Sequence, residues 1–387
     1  MNAASPLGTR LTARMAALEG RQLLRQLRAP AGLDLSSNDY LGLASHPRIT
    51  RQMAEAVARE GCGSTGSRLL RGHRDVFDAV ERRFAQFKGV ERALYFSSGY
   101  LANLAVLTTF PERGDIILSD RLNHASLRDG LRLSQARHVV FRHADSTSLR
   151  TLLASKRGSG QTFVVTESLF SMDGDVPPLD AYAAMCREAG AALIVDEAHA
   201  VGIYGAHGSG LIEECGIDRD VFVSINTAGK ALGVAGAFVA GPAWAIDYLV
   251  QRARPFVFST APPPALAAAI EASLALVAEE PERRQQLRAC AARLRSNLAS
   301  HGVAVAGGDS PVVPIMLGSA ERALIVAERL QSCGFDVRAI RPPTVRVGTA
   351  RLRVSVNAAL TDVAMDEFVR VLAAALQESA LCPTVSS

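Results

Sequence analysis

The sequence predicts an α/β fold with a large, mainly parallel-sheet domain and a smaller α+β domain after it. Three observations predict this. Short β-branched runs alternate with helical patterns through the middle of the chain, several runs are continuously apolar, and the periodicity breaks across Pro255, Pro262, Pro263 and Pro264. Alternating strands and helices mark βαβ units. A run with no polar face suits a parallel strand covered on both sides.

In chain order, an N-terminal arm (1–45) comes first. It carries Arg10, Arg14, Arg21, Arg25 and Arg28 against Glu19 alone, a balance also found in organelle transit segments. The preferred reading is an amphipathic helix packed on the body through Leu11, Met15 and Leu18. The large domain (46–255) should hold strands at Ala93–Ser97, Asp115–Leu118, His138–Arg142, Thr162–Thr166, Ala191–Val195, Val221–Asn226 and Ala237–Ala240. The smaller domain (256–387) should hold strands near Pro311–Leu317, Val337–Ile340 and Leu352–Val356, then a surface helix over Asp362–Glu378.

With 387 residues, 48% of them hydrophobic and 21% charged, the chain is too apolar for disorder. A net charge of +4 is too mild to imply a nucleic-acid binder. The richest apolar stretch, Gly233 to Ile246, holds Pro242 and falls short of a membrane span. Cys62, Cys186, Cys215, Cys290, Cys333 and Cys382 form no Cys-x-x-Cys pair, which suggests reduced thiols in a cytoplasmic protein and no metal site.

Five motifs follow predicted strands. Lys230, in Thr227-Ala228-Gly229-Lys230, ends a buried strand, where poor solvation favours the neutral, nucleophilic amine; a loop lysine reaching solvent is the alternative. A Walker phosphate loop is discounted, because Ala231 replaces the needed Ser/Thr and the earlier glycine is missing. Asp196, in Asp196-Glu197-Ala198-His199, can hold a protonated ring nitrogen; the rival helicase box lacks its Walker loop. Gly99, in Ser97-Ser98-Gly99-Tyr100, lets a helix N-terminus receive phosphate. His124, in Asn123-His124-Ala125-Ser126, can stack on a flat ring or be a satisfied structural histidine. Ser171, after Glu167, can bond a phenolic oxygen or belong to an ordinary turn at Asp173-Gly174. Ligands of open α/β sheets gather at the carboxyl ends of the strands. Together the five make a complete pyridoxal phosphate site.

Elsewhere, Ser36 to Gly42 is a polar turn in which Asn38 can reach a substrate. The Gly61–Ser67 loop, with Arg68, Arg71 and Arg74, is either flexible or a clamp on a thioester's phosphates. Arg351 and Arg353 share a strand face; one suits a carboxylate, and Arg351 is the better candidate for a plain surface charge.

From about Asp34 to about Asn357 these stretches resemble the α-oxoamine synthases, fold-type I pyridoxal 5′-phosphate transferases that condense an amino acid with an acyl thioester. Ile340–Val345 and Gly348–Arg353 are most similar to members that join L-alanine to a pimeloyl thioester, carried by coenzyme A or acyl carrier protein, in biotin synthesis. The resemblance implies that Lys230 holds the cofactor as an imine and moves the alanine Cα proton. It implies that Asp196 pairs with the ring nitrogen, His199 with the phenolic oxygen, and that His124 stacks on the ring against substrate. Gly99 and Tyr100 would bind phosphate through backbone groups, with Ser171 and Thr227 adding hydroxyls to the cofactor contacts. Arg353 would bind the carboxylate, and Arg28, Asn38 and Thr344 the substrate. A cytoplasmic homodimer follows, its active site at the subunit interface, with Thr260 reaching the neighbour's phosphate. Arg346, Phe77 and Ala200-Val201 depart from the pattern, and a relative using glycine or serine with another acyl-CoA is the alternative.

Overall fold

The computed structural model describes residues 5–155 and 160–381. Its first strand, β1, is Leu33–Asp34. Seven more share one sheet: β2 (Arg92–Phe96), β3 (Ile116–Asp120), β4 (Arg137–Phe141), β5 (Thr162–Glu167), β6 (Ala192–Asp196), β7 (Val221–Thr227) and β8 (Ala237–Gly241). The sheet order is β2-β8-β7-β6-β5-β3-β4. β8 is antiparallel to β2 and β7, and the other pairings are parallel. Burial explains the strand patterns: every residue of β5 is buried, whereas outer β4 leaves Arg137, His138 and Val140 exposed.

Strands β5, β6 and β7 each run one residue further than their apolar runs suggest, ending at Glu167, Asp196 and Thr227. Parallel pairing carries them on, since Glu167 lies beside Asp196 and Asp196 beside Ile225. The polar ends therefore share one edge. Behind it, Phe96, Ile117, Phe163, Val165, Ile194 and Val223 pack with Val106 and Leu127 from flanking helices.

The chain parts into two compact units, Asn38–Leu287 and a second that joins residues through Ser37 to Arg288 onward. These boundaries differ from those expected, 45 at the end of the arm and 255 at the proline cluster. Helix Pro264–Glu279 stays with the first unit, where Ala265 and Ala268 pack with Ala56 of helix Pro47–Glu60. The arm belongs to the second unit because β1 pairs in parallel with Phe335–Asp336 (β10, following β9 at Val312–Gly318). Two further strands there, β11 (Ala339–Ile340) and β12 (Ala350–Ser355), complete an antiparallel sheet ordered β11-β12-β9.

Two expectations fail in the second unit. Helix Pro6–Gly20 buries no side chain, and Leu7, Leu11, Met15 and Leu18 are exposed. Its visible support is local: Ser5 accepts from Gly8 N at 3.0 Å, and Pro6 opens the first turn. Helix Asp362–Leu381 is more than a surface helix, burying Met365, Phe368, Val369 and Leu372.

A buried ion pair lies just beyond the sheet edge. Lys88 ends helix Asp75–Lys88, and its Nζ lies 2.5 Å from both Glu197 Oε2 and the Ser209 carbonyl. Ile212 N donates to the other Glu197 oxygen at 3.0 Å. Gly210 closes over the pair at φ +135°, where a Cβ would come 2.3 Å from Glu197 Oε2. Glu197, the second residue of the Asp-Glu-Ala-His box, thus has a structural partner inside the fold. Lys88→Met strands that carboxylate, so urea denaturation is expected to show a loss of about 3–5 kcal/mol. Lys88→Met with Glu197→Gln should recover part of it. A loss under about 1 kcal/mol in the single variant would refute the pairing's importance.

Candidate active site

The turn after β7 presents Lys230 at the sheet edge. Ala228 N donates to the Gly236 carbonyl at 2.8 Å, Gly233 N to the Lys230 carbonyl at 2.8 Å, and Gly229 N to Thr227 Oγ1 at 3.2 Å. Half-buried Lys230 sets its Nζ 2.8 Å from His199 Nε2. His199 Nδ1 lies 2.7 Å from the Tyr40 hydroxyl, which reaches Asn38 Oδ1 at 3.0 Å. With Lys230 protonated the network closes in one direction. The ammonium donates to Nε2, Nδ1–H donates to Tyr40, and Tyr40 donates to Asn38. That tautomer is assigned from the bonding pattern. Tyr40 is missed by motif reading; its turn drew notice through Asn38.

Asp196 ends β6 with both carboxylate oxygens held. Ala198 N donates to Oδ1 at 2.9 Å and Asn103 Nδ2 to Oδ2 at 2.8 Å. Asn103 also donates to Ser126 Oγ at 2.9 Å, and Ser126 Oγ lies 2.8 Å from His124 Nδ1. Asp196 and His124 are therefore linked through two side chains that sequence reasoning did not single out as ligands. The available signal was an asparagine inside the apolar run Leu101–Leu107 of helix Gly99–Thr109.

Glu167 also went without a role in the sequence reading. Wholly buried, it accepts His124 N on Oε1 at 2.6 Å and a second backbone bond from Ser171. Burial, then the adjacent Asp196 charge, pushes its carboxyl up to about 8, against the pull of Lys230. Burial pushes the His124 imidazole below its ordinary value, while Asp196 works the other way and Lys230 adds to the lowering. Lys230, Asp196, His124 and Glu167 thus act on one another electrostatically.

Gly99 opens its helix beside Thr227: a Cβ built there would stand 3.8 Å from Thr227 Cβ. Ser98 caps the helix, its Oγ accepting from Leu101 N at 3.3 Å. The exposed Tyr100 side chain donates its hydroxyl to Asp129 Oδ2 at 2.5 Å. Ser171 lies in the loop after β5, and Thr260 is exposed beyond helix Arg254–Val257.

In the second unit, Arg353 is buried on β12 and donates to Ser355 Oγ at 2.8 Å. Arg351 is buried as well and donates to the Thr349 carbonyl at 3.1 Å, so it is no surface charge. Thr344 Oγ1 accepts from Arg25 at 3.3 Å, and Arg28 borders a cleft of about 590 Å³ with Arg25, Arg338 and Arg341. The proposed phosphate clamp fails at Arg68. Its guanidinium grips Glu81 at 2.9 and 3.1 Å and lies over the Phe77 ring at 4.6 Å. Phe77, a departure from the family pattern, belongs to this buried cluster.

Among the described residues no helix is long and apolar enough to cross a membrane. Cys62, Cys186, Cys215, Cys290 and Cys333 form no disulfide with one another; Cys382 lies outside the described residues.

An amine, two imidazoles and two carboxylates on the carboxyl edge of a mostly parallel sheet define a group-transfer enzyme of the α/β class. Residues 30–372 match the aminotransferase class I and II family, and the chain belongs to it. It is 47% identical over 349 residues to the 8-amino-7-oxononanoate synthase of Methylococcus capsulatus, covering 90% of each chain. It is 45% identical over 342 residues to that of Geobacter sulfurreducens, covering 88% of this chain and 87% of that one. Among solved structures, Sphingomonas wittichii serine palmitoyltransferase matches with TM-score 0.91 at 28% identity, covering 99% of this chain and 100% of that one. The 8-amino-7-oxononanoate synthase of Francisella tularensis matches with TM-score 0.78 at 28% identity, covering 90% and 99%. The resemblance to the α-oxoamine synthases is borne out.

Proposed function

We propose that this enzyme condenses L-alanine with a pimeloyl thioester, giving 8-amino-7-oxononanoate, carbon dioxide and free thiol. The carrying observation is the meeting of Lys230, His199, Asp196 and His124 at one sheet edge in a chain 47% identical over 90% of its length to a synthase of that name. The donor set fits pyridoxal 5′-phosphate: an amine for the aldehyde carbon, a carboxylate for the ring nitrogen, and a helix N-terminus opened by Gly99 beside Thr227 for the phosphate. When bound, the cofactor withdraws the electron pair left on the alanine Cα and on the product carbon.

The protein's part is to tether, orient and move protons. Lys230 Nζ would hold the cofactor covalently, and as a free amine it would be the base for the alanine Cα proton and the acid that returns one. His199 Nε2 keeps that amine aimed, and Tyr40 holds the imidazole in the tautomer this requires. Asp196 keeps a proton on the ring nitrogen. His124 would cover the ring, and burial lowers its pKa, favouring the neutral imidazole that suits stacking. Gly99, Tyr100, Ser171, Thr227 and, from a second subunit, Thr260 complete the cofactor contacts. Arg28, Asn38, Thr344 and Arg353 contact substrate, and the cytoplasmic homodimer belongs to the same proposal.

A relative that takes serine or glycine is the second reading, favoured by the serine palmitoyltransferase match and by Ala200-Val201. Mass spectrometry of products from alanine, serine and glycine, each with pimeloyl-CoA and palmitoyl-CoA, separates them. Alanine with the pimeloyl thioester is expected to dominate by at least about tenfold in kcat/KM. Preference for serine with a long acyl chain would overturn the proposal.

A further inference from the structure

His143 plays no part in the chemistry above, yet it joins two loops that do. It follows β4, the edge strand; β3 lies next to β4 and β5 beyond β3, so the loops leaving β3 and β5 come in turn on its inner side. Its Nδ1 lies 2.9 Å from Asp120 Oδ1 and its Nε2 lies 2.7 Å from Asp175 Oδ2. Carboxylates accept and do not donate, so both ring nitrogens carry protons and the side chain is an imidazolium.

Each carboxylate organises a loop of the site. Asp120 ends β3 and accepts Leu122 N at 2.8 Å and Ala144 N at 3.0 Å, shaping the turn that runs on to His124. Ala144 sits at φ +51°, a left-handed conformation an alanine adopts only when its surroundings impose it. Asp175 closes the loop that holds Ser171, through Phe170 N to its carbonyl at 3.0 Å. Its remaining oxygen, Oδ1, is buried without a hydrogen-bond partner among the described residues, so His143 supplies its compensation. The imidazole also meets the Phe170 ring edge-on, centroids 4.4 Å apart.

We propose that His143, clasped between Asp120 and Asp175, is a positioning residue that locks the His124 loop against the Ser171 loop. Resting on the reading of His124 as the group covering the cofactor ring, the lock sets where that imidazole stands. Burial alone would favour the neutral ring, but the bonds to Asp120 and Asp175 push its pKa up to about 10, so the clasp is closed throughout the neutral range.

The test uses His143→Gln in the full-length enzyme, with two readouts. Without cofactor, hydrogen–deuterium exchange of residues 121–126 and 170–175 is expected to quicken about tenfold or more, while strand β6 is unchanged. With cofactor, alanine Cα-hydrogen exchange should lose about tenfold to a hundredfold in kcat, with the alanine KM and cofactor affinity within about threefold of wild type. Should that variant fail to fold, Asp175→Asn, at the more exposed partner, is expected to show the same two signatures. Loop exchange and kcat both within about twofold of wild type would overturn the proposal. A wild type inactive on alanine and pimeloyl thioester would defeat the functional reading alone. The lock would then still be upheld or overturned by the exchange measured without cofactor.

Discussion

Lys230→Ala is expected to be colourless and to lose turnover by about four orders of magnitude, the upper end of what one positioned acid–base group contributes. The reason is local. Nζ is fixed 2.8 Å from His199 Nε2, and the same imidazole is held from behind by Tyr40 at 2.7 Å. Removing the amine removes the covalent tether and the proton carrier together, and with them the group that His199 Nε2 aims. Folding should survive, because Lys230 is only half-buried and its turn is closed by backbone bonds from Ala228, Gly233 and Val234. Borohydride reduction followed by peptide mapping reads the tether directly. Wild type should carry the cofactor's mass on the peptide containing Lys230, and the alanine variant should carry it nowhere. Cofactor mass trapped on another lysine, or turnover within about tenfold of wild type, would remove Lys230 from its role.

That role was legible because the largely apolar run from Val221 to Ile225 gives way to Asn226 and then Thr227-Ala228-Gly229-Lys230. A strand's end is marked in sequence when apolar residues give way to small and polar ones. Asp196 was legible for the same reason. Glu167 was harder: it too ends its strand, but it draws its character from β6 alongside, a neighbour fixed only by sheet order. Asn103 and Tyr40 are harder still. Their partners lie 93 and 159 residues away, and nothing in the local pattern of a helix or a turn encodes such a separation. Arg68 shows the opposite error. Beside a glycine-rich loop it suggests phosphate binding, but Glu81 on the following helix and the Phe77 ring occupy its guanidinium. The joining of the arm to the C-terminal unit through a two-residue strand was invisible too, because two residues carry no periodicity.

Asp196→Asn tests the other pole of the site, and it acts in two ways. The carboxylate accepts from Ala198 N on one oxygen and from Asn103 Nδ2 on the other. An asparagine offers one acceptor and one donor, so in either orientation its amino group faces an N–H. The lost bond should cost about 1–3 kcal/mol in a urea titration, without unfolding the protein. The lost charge matters more. With no anion to hold the ring-nitrogen proton, alanine Cα-hydrogen exchange is expected to fall about a hundredfold to a thousandfold, the scale of removing one preorganised electrostatic partner. The variant also changes groups that can be read without cofactor or substrate. A negative charge favours the protonated form of its neighbours, and Asp196 raises both His124 and Glu167. Asparagine should therefore lower both: His124 further below its ordinary value, and Glu167 down from about 8 while burial still holds it above 4.5. Histidine and glutamate side-chain NMR titrations would show two downward shifts of the same sign. If neither group moves, the charges do not share one environment. The electrostatic role assigned to Asp196 would then fall, even if the exchange rate fell as well.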